Sequence, residues 1–431
     1  MNKAGIVLGV MFLEIVVSVS GVESAEPKNS NLACNIWKQE TLTNGFFGLC
    51  ERLTNNGIEL CFGVTNIYQQ NVHGGLSTHR RAGRHTGSYD LEFLADLEKL
   101  LGFEGGSLFV HTEGSWSRLD VDATSIGSVF GVNRDAAGRR AMDVTELWYE
   151  QTMFDDTLRV RLGKMDITCG FECRGCPVSF DGSAYANDET SQFLNGALVN
   201  NPTIPFPDFG LGIVVYWNPV EWWYASVGAI DAQADGRETG FRTTFHDEDY
   251  FLYLLETGIA SELDSSNGSM PGTYRIGLWN DPQPKANSDS TKSYRDDVGF
   301  YLSFDQMLRK ENYELEDSQG IGAFLRYGYA NSKKNDITNF WSAGLQYRGL
   351  LDGRDDDVLG LGFAKGIFSD SASTSYTEDY ESAVELYYSA RITPWLAVSP
   401  SVQYITNPSN PDNAETADDA VVLGIRVQMI F

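Results

Sequence analysis

Past its first twenty-five or so residues the chain has no apolar run approaching the roughly 20 uninterrupted residues that a membrane-spanning helix requires, so any membrane residence must be built from strands. Positive charge is scarce as well: 32 Lys and Arg stand against 59 Asp and Glu in 431 residues, a formal charge of -27. A phosphate backbone is held by a basic footprint, so this balance excludes a nucleic-acid partner. Signs of catalysis are equally thin. There is no nucleophile-elbow serine motif, and of the 5 histidines only His111 is expected inside a strand. The glycines at Gly360, Gly362 and Gly366 precede no helix and make no phosphate loop. The expectation is no enzyme, no cofactor and no resident metal.

What the chain does contain points outward from the cell. Lys3 followed by the apolar stretch Ile6 to Val19 reads as a signal peptide over residues 1–25, interrupted only by Glu14. Cys34 lies well beyond that apolar core and Asn31 stands where a lipoprotein signal places an aliphatic residue, which argues against lipidation. Six cysteines, Cys34, Cys50, Cys61, Cys169, Cys173 and Cys176, are compatible with disulfides in an oxidising compartment. Cys169, Cys173 and Cys176 form C-x3-C-x2-C. A disulfide among them that pins a long loop is the favoured reading, with free thiols or a metal site as alternatives.

Residues 26–56 read as an N-terminal periplasmic segment with one short helix, in which Phe46, Leu49, Cys50 and Leu53 fall at helical spacing, Asn44 caps the start and Gly57 follows the end. From residue 57 to 431 the period is two. In the last segment Val421, Leu423, Ile425, Val427, Met429 and Phe431 share a wholly apolar face, while Val422, Gly424, Arg426, Gln428 and Ile430 share a mixed one. Sixteen such segments centre on Phe62, Phe93, Val110, Trp148, Val160, Val214, Ala225, Leu254, Ile276, Leu302, Phe324, Leu345, Leu361, Leu386, Val402 and Val427. Their connections sort by parity. Asp155-Asp156, Asn218-Pro219 and Thr393-Pro394 are very short, whereas Ser117 to Met142, Ile167 to Asp208, Ala232 to Glu248 and Thr406 to Asp419 are long and polar. Short turns on one rim and long loops on the other define a transmembrane antiparallel β-barrel of the outer-membrane kind, an all-β fold of about sixteen strands. A Greek-key sandwich has no reason to sort its loops in this way.

The closing stretch, YESAVELYYSARITPWLAVSPSVQYITNPSN from Tyr380 and then DDAVVLGIRVQMIF to Phe431, resembles the last three strands of the carbohydrate-selective porins of the OprB type. TELWYEQTMFDDTLRVRLGKMD from Thr145, SQFLNGALVNNP from Ser191 and LTNGFFGLCERLTNNGI from Leu42 resemble further blocks of that family, in the expected order. The chain departs from the family pattern at Phe47-Gly48-Leu49-Cys50 and in the three cysteines after Thr168. The resemblance implies a sixteen-stranded outer-membrane pore, passive uptake of small sugars, and a long third extracellular loop, here Ile167 to Asp208, that narrows the channel. A general or cation-preferring diffusion porin is the alternative.

Sugar passage calls for planar polar side chains beside apolar ring faces, holding solute weakly enough to release it. Glu146, Trp148 and Glu150, with Arg159 and Arg161 on the neighbouring strand, share one face and are the expected channel lining. Arg275, Arg326, Arg348 and Arg426 fall on inner faces as well. His73, His79 and His85, with Arg80, Arg81 and Arg84, are placed in the first loop and are read as solvated. The expected partners are small sugars, outer-membrane lipid and lipopolysaccharide, and the assembly machinery that reads the terminal Phe431. A homotrimer is compatible with the pattern.

Overall fold

The structure, a computed structural model, describes residues 36–117, 120–136, 140–168, 178–235, 241–245, 248–266, 268–286, 292–311, 318–371, 376–409 and 417–431. Sixteen strands form one barrel: β1 Ile58–Gly75, β2 Gly83–Asp96, β3 Gly106–Trp116, β4 Arg140–Met153, β5 Leu158–Met165, β6 Gly210–Val220, β7 Trp223–Asp231 and β8 Phe251–Ser265, followed by β9 Gly268–Asp281, β10 Asp297–Lys310, β11 Gly320–Tyr329, β12 Ile337–Arg348, β13 Val358–Phe368, β14 Tyr380–Thr393, β15 Leu396–Thr406 and β16 Asp418–Ile430. Each strand pairs antiparallel with its sequence neighbours, and β1 closes the ring on β16 from Gly63 opposite Ile430 to Gly75 opposite Asp418. A two-residue ribbon, Lys285–Ala286 with Ser293–Tyr294, stands apart from the barrel. Closure leaves no unpaired edge, which strands in lipid require. Every one of the sixteen expected strand centres lies in a barrel strand.

The two faces separate as the period-two pattern demands. On β16 Leu423 and Ile425 are 48% and 43% exposed, while Val422 and Arg426, of the other parity on either side of them, are each 1% exposed. The outward set forms a lipid-facing surface. The connections are 97–105, 154–157, 221–222, 266–267, 311–319, 349–357 and 394–395 on the periplasmic side, and 76–82, 117–139, 166–209, 232–250, 282–296, 330–336, 369–379 and 407–417 on the extracellular side, which carries every connection of more than nine residues although 76–82 and 330–336 are short.

Several boundaries move. β6 runs through Asn218 and Pro219, with a register irregularity before Val220, so the turn is Glu221-Trp222 and not Asn218-Pro219. His73 belongs to β1 and His85 to β2, because that hairpin extends further than its apolar residues announce; only His79 lies in the loop. The helix α1 spans Asn44–Asn55, but Thr43 rather than Asn44 caps it, the Thr43 hydroxyl accepting from Phe46 N at 3.0 Å. Asn44 already has a φ of 53°, and Gly45 to Gly48 continue in the left-handed region, so the regular helix starts only after them.

The interior is not simply a polar, water-filled face. The described residues of the second extracellular loop (120–136) and of the third (166–168 and 178–209) fold into the barrel and carry their own apolar side chains. Val178, Phe180 and Ile204 of the third loop pack on Val214, Ile230, Leu254, Trp279 and Tyr301 of the wall. Further along the same loop, Phe193 and Leu198 pack on Phe324, Phe340 and Tyr387. Val121, Ile126 and Val132 of the second loop lie against Ala383, Ile405 and Val422. Burying each such large side chain contributes about 1.5–3 kcal/mol. This explains why the inward parity reads as mixed: it faces a packed loop over part of its height.

Candidate functional site

The polar panel of the inner wall stands on β2 to β5. Glu150 pairs directly with Arg161 across β4 and β5, and Trp148 pairs with Phe109 of β3 on one side and Gly163 of β5 on the other. Because directly opposed residues share a face about 4.5–5.5 Å apart, this register fixes the contacts. Glu150 Oε2 accepts from Arg161 Nε at 3.0 Å and from Nη2 at 2.8 Å, and Arg159 Nη1 stands 3.9 Å from Glu150 Oε1. The Trp148 ring is stacked on Phe109 with centroids 4.7 Å apart, and the Arg161 guanidinium lies 3.7 Å from the indole centroid. Gly163 lets β5 approach the β4 backbone closely, since a Cβ there would stand 2.3 Å from Leu147 O and 2.7 Å from Trp148 Cα. Trp148 Nε1 donates to Glu146 Oε2 at 3.1 Å, and His111 links the panel to β2, with Nε2 3.2 Å from Asp90 Oδ1 and Nδ1 3.6 Å from Glu146 Oε1. All five expected lining residues are therefore brought together. They are not equally accessible: Trp148 and Arg161 are buried, whereas the side chains of Arg159 and Glu146 retain 31% and 13% exposure.

A second set of inward charges holds the third loop. Arg326 on β11 donates to Leu198 O at 3.0 Å, Val199 O at 3.1 Å and Ala186 O at 2.5 Å, and also to Asn187 Oδ1. Its Nε lies 3.8 Å from the Asp181 carboxylate. Burial pushes the Asp181 carboxyl up to about 7 despite the Arg326 cation, and neither of its oxygens accepts a hydrogen bond among the described residues. Arg275 on β9 pairs with Asp305 on β10 at 2.7 Å, and Asp305 also accepts from Ser183 Oγ at 2.5 Å. Glu256 on β8 accepts from Asp181 N at 2.9 Å and from the hydroxyls of Tyr224 and Tyr301, each at 2.7 Å. Glu385 on β14 accepts from Leu194 N and Asn195 N, and Arg426 on β16 donates to Glu189 O and Gln192 O. Glu381 accepts from Ser128 Oγ, Val129 N and Phe130 N of the second loop.

Of the four further arginines expected on inner faces, Arg275, Arg326 and Arg426 thus anchor the wall or the loop, while Arg348 pairs at 2.7 Å with Asp356 beside a periplasmic turn. The residues that sequence reasoning missed are the acidic anchors Glu256, Asp305, Glu381 and Glu385. Their inward parity was available as a signal, but their loop partners follow no period. Cys169, Cys173 and Cys176 lie outside the described residues. On α1, the Cys50 thiol sits 3.7 Å from Leu60 O.

A closed sixteen-stranded barrel with a lipid-facing belt, parity-sorted connections and a lumen narrowed by an inward-folded third loop is the architecture of a bacterial outer-membrane porin. The sequence comparisons then give the particular kind. The model of the carbohydrate-selective porin, OprB family, matches residues 80–431, and the chain belongs to that family. Among its relatives, Porin B of Pseudomonas aeruginosa is 25% identical over 84% of this chain and 85% of that protein. The putative porin QuiX of Acinetobacter baylyi is 21% identical over 93% of this chain and 95% of its own length. A structure of Pseudomonas putida OprB at high pH superposes with a TM-score of 0.77 at 20% identity, covering 91% of this chain and 99% of the other. The protein is accordingly a channel of the outer membrane within a sugar-selective family.

Proposed function

We propose that small sugars pass this channel along the β4–β5 panel, and that Arg159 and Glu146 are the groups that touch them, with Trp148, Glu150 and Arg161 acting as their rigid support. The observation that carries this reading is the covered indole. With Phe109 stacked on it and the Arg161 guanidinium over it, Trp148 offers no free ring to a sugar. It instead fixes Arg161, which fixes Glu150, beside which Arg159 stands with 31% of its side chain exposed. The Arg159 guanidinium supplies donors for sugar hydroxyls, and Glu146, 13% exposed and already accepting from Trp148 Nε1 and Asp166 N, offers its remaining lone pairs, while the solvation of Arg159 keeps the hold weak enough for release.

The test is single-channel conductance in planar bilayers with neutral sugars added. The wild-type current is expected to show saturable block, and Arg159→Ala is expected to raise the half-blocking sugar concentration about tenfold, the equivalent of about 1.4 kcal/mol, with little change in conductance without sugar. Wild-type channels that no sugar blocks, combined with a reversal potential favouring cations, would replace this reading with a general diffusion porin.

A further inference from the structure

The segment before the barrel is fastened to the periplasmic rim from outside. Leu42 N donates to Ile430 O at 2.8 Å, and Trp395 Nε1, in the turn between β14 and β15, donates to Ile36 O at 2.7 Å. On α1 the Phe46 ring lies 6.3 Å from that of Phe62. Phe62 belongs to the outward parity of β1, where it also meets Phe431 at 5.2 Å and Tyr89 at 6.4 Å. The helix therefore extends the lipid-facing surface of the seam instead of plugging the lumen.

The next residue points the other way. Phe47 is 91% exposed, the most of any large apolar side chain among the described residues, and Leu49 is 48% exposed. The cause is local. Gly45, Phe46, Phe47 and Gly48 have φ of 61°, 50°, 62° and 85°, a left-handed turn that separates two adjacent phenylalanines, sending one to the barrel and one away from it. A left-handed φ costs a non-glycine residue roughly 1–2 kcal/mol, so an exposed Phe47 held there needs a compensating environment. Along the same rim the tips of the short turns also carry exposed apolar residues, Phe103, Phe154 and Trp222, so the lipid boundary reaches the level at which α1 lies. Glu51, Arg52 and Asn55, further along the helix, are exposed and polar.

We propose that α1 and its left-handed turn are an interfacial anchor, with Phe47 and Leu49 inserted among the lipids of the periplasmic leaflet. The argument is continuity: Phe46, Phe62, Tyr89 and Phe431 join the segment to the lipid-facing belt without a break, and aromatic side chains are at home at that depth. The anchor holds the seam between the first and last strands, the place where the barrel closes.

The occupant is identified by photo-cross-linking of the full-length protein folded into phosphatidylethanolamine–phosphatidylglycerol vesicles. p-Benzoylphenylalanine replaces Phe47, Leu49 or, as the polar reference, Glu51, and mass spectrometry reads the adducts. Lipid adducts at 47 and 49 at least about tenfold above those at 51 are expected from the preference of an apolar ring for the interface. Adducts to a second copy would assign the patch to an oligomer interface and overturn the proposal, as would equal lipid labelling at all three positions. The wild-type chain with a diazirine-bearing phospholipid gives the same answer without any substitution: label in the peptide containing Phe47 supports the anchor, and its absence from a folded barrel refutes it.

Discussion

Arg161 and Arg326 are both buried guanidiniums on the inner wall, yet they are committed to different parts of the molecule. Arg161 finds its carboxylate, Glu150, on the adjacent strand, and its face covers a tryptophan two positions before that carboxylate. Arg326 spends its donors on the third loop, on the carbonyls of Ala186, Leu198 and Val199 and on Asn187, well over a hundred residues away in sequence. The first pair shapes the wall that solute meets. The second decides whether the loop stays inside the barrel. Closure of the barrel itself rests on neither, since it is made by backbone ladders.

The largest effect should follow from cutting the second commitment. In Arg326→Ala, buried carbonyls of the loop lose their donors together with the cation facing Asp181, which is expected to weaken docking of the loop by about 3–5 kcal/mol. Amides of Leu198 to Asn200 should then exchange much faster with deuterium and the open-channel conductance should rise, while the barrel keeps its resistance to detergent at room temperature. Unchanged exchange at those amides would mean that the other anchors, Glu256, Asp305, Glu385 and Arg426, hold the loop without Arg326, and the contrast between the two arginines would lose its meaning.

Next in size is the corresponding cut at the panel. Arg161→Ala leaves Glu150 buried beside the more distant Arg159 and uncovers one side of the indole, a loss of about 3 kcal/mol. Sugar block should weaken, whereas exchange in the third loop should stay as in the wild type. A freed loop in this variant would show that the panel and the latch are one network and not two.

The two regions also differ in how far the sequence could foretell them. Glu150 and Arg161 were legible because both obey the period of two and sit eleven residues apart around a short turn, so alternation and pairing place them face to face. The sixteen strands and the sorting of the loops were legible for the same reason, since lipid on one side enforces a pattern that repeats along the chain. Arg326 was placed on the inner face by that pattern, but its partners were not, because the backbone carbonyls of a loop carry no side-chain signature. The same holds for Glu385 and the amides of Leu194 and Asn195. Nor could alternation show that Phe180, Phe193 and Leu198 would leave the loop to pack on the wall, since a mixed inner face reads as a wet one until something is known to cover it. The left-handed turn at Gly45 to Gly48 escaped because apolar spacing alone makes a helix of Phe46, Leu49, Cys50 and Leu53, whatever the φ of the first turn.

The smallest of these effects is the one that most sharpens the contrast, because it separates charge from connectivity within the latch. The Asp181 carboxyl is lifted to about 7 by burial, with Arg326 acting against that rise. An acid whose value in the docked state lies above its free value of about 3.9 is bound more tightly to its proton when docked. Docking is therefore strongest below about pH 3.9, weakens as pH rises toward 7, and levels off above it. Asp181→Asn keeps the shape and the backbone donation to Glu256 but removes this titration, so loop opening, taken from exchange corrected for the base catalysis of the amides themselves, should rise less steeply between pH 5 and 8 in the variant than in the wild type, the remainder coming from Glu189, which burial pushes up to about 8. The Arg326 guanidinium is the larger of two cations that favour the ionised form, Arg275 being the other. Removing it along with the titration, in Arg326→Ala combined with Asp181→Asn, should cost less than Arg326→Ala alone at pH 8 and about the same at pH 5, a double-mutant coupling that appears only where Asp181 is charged.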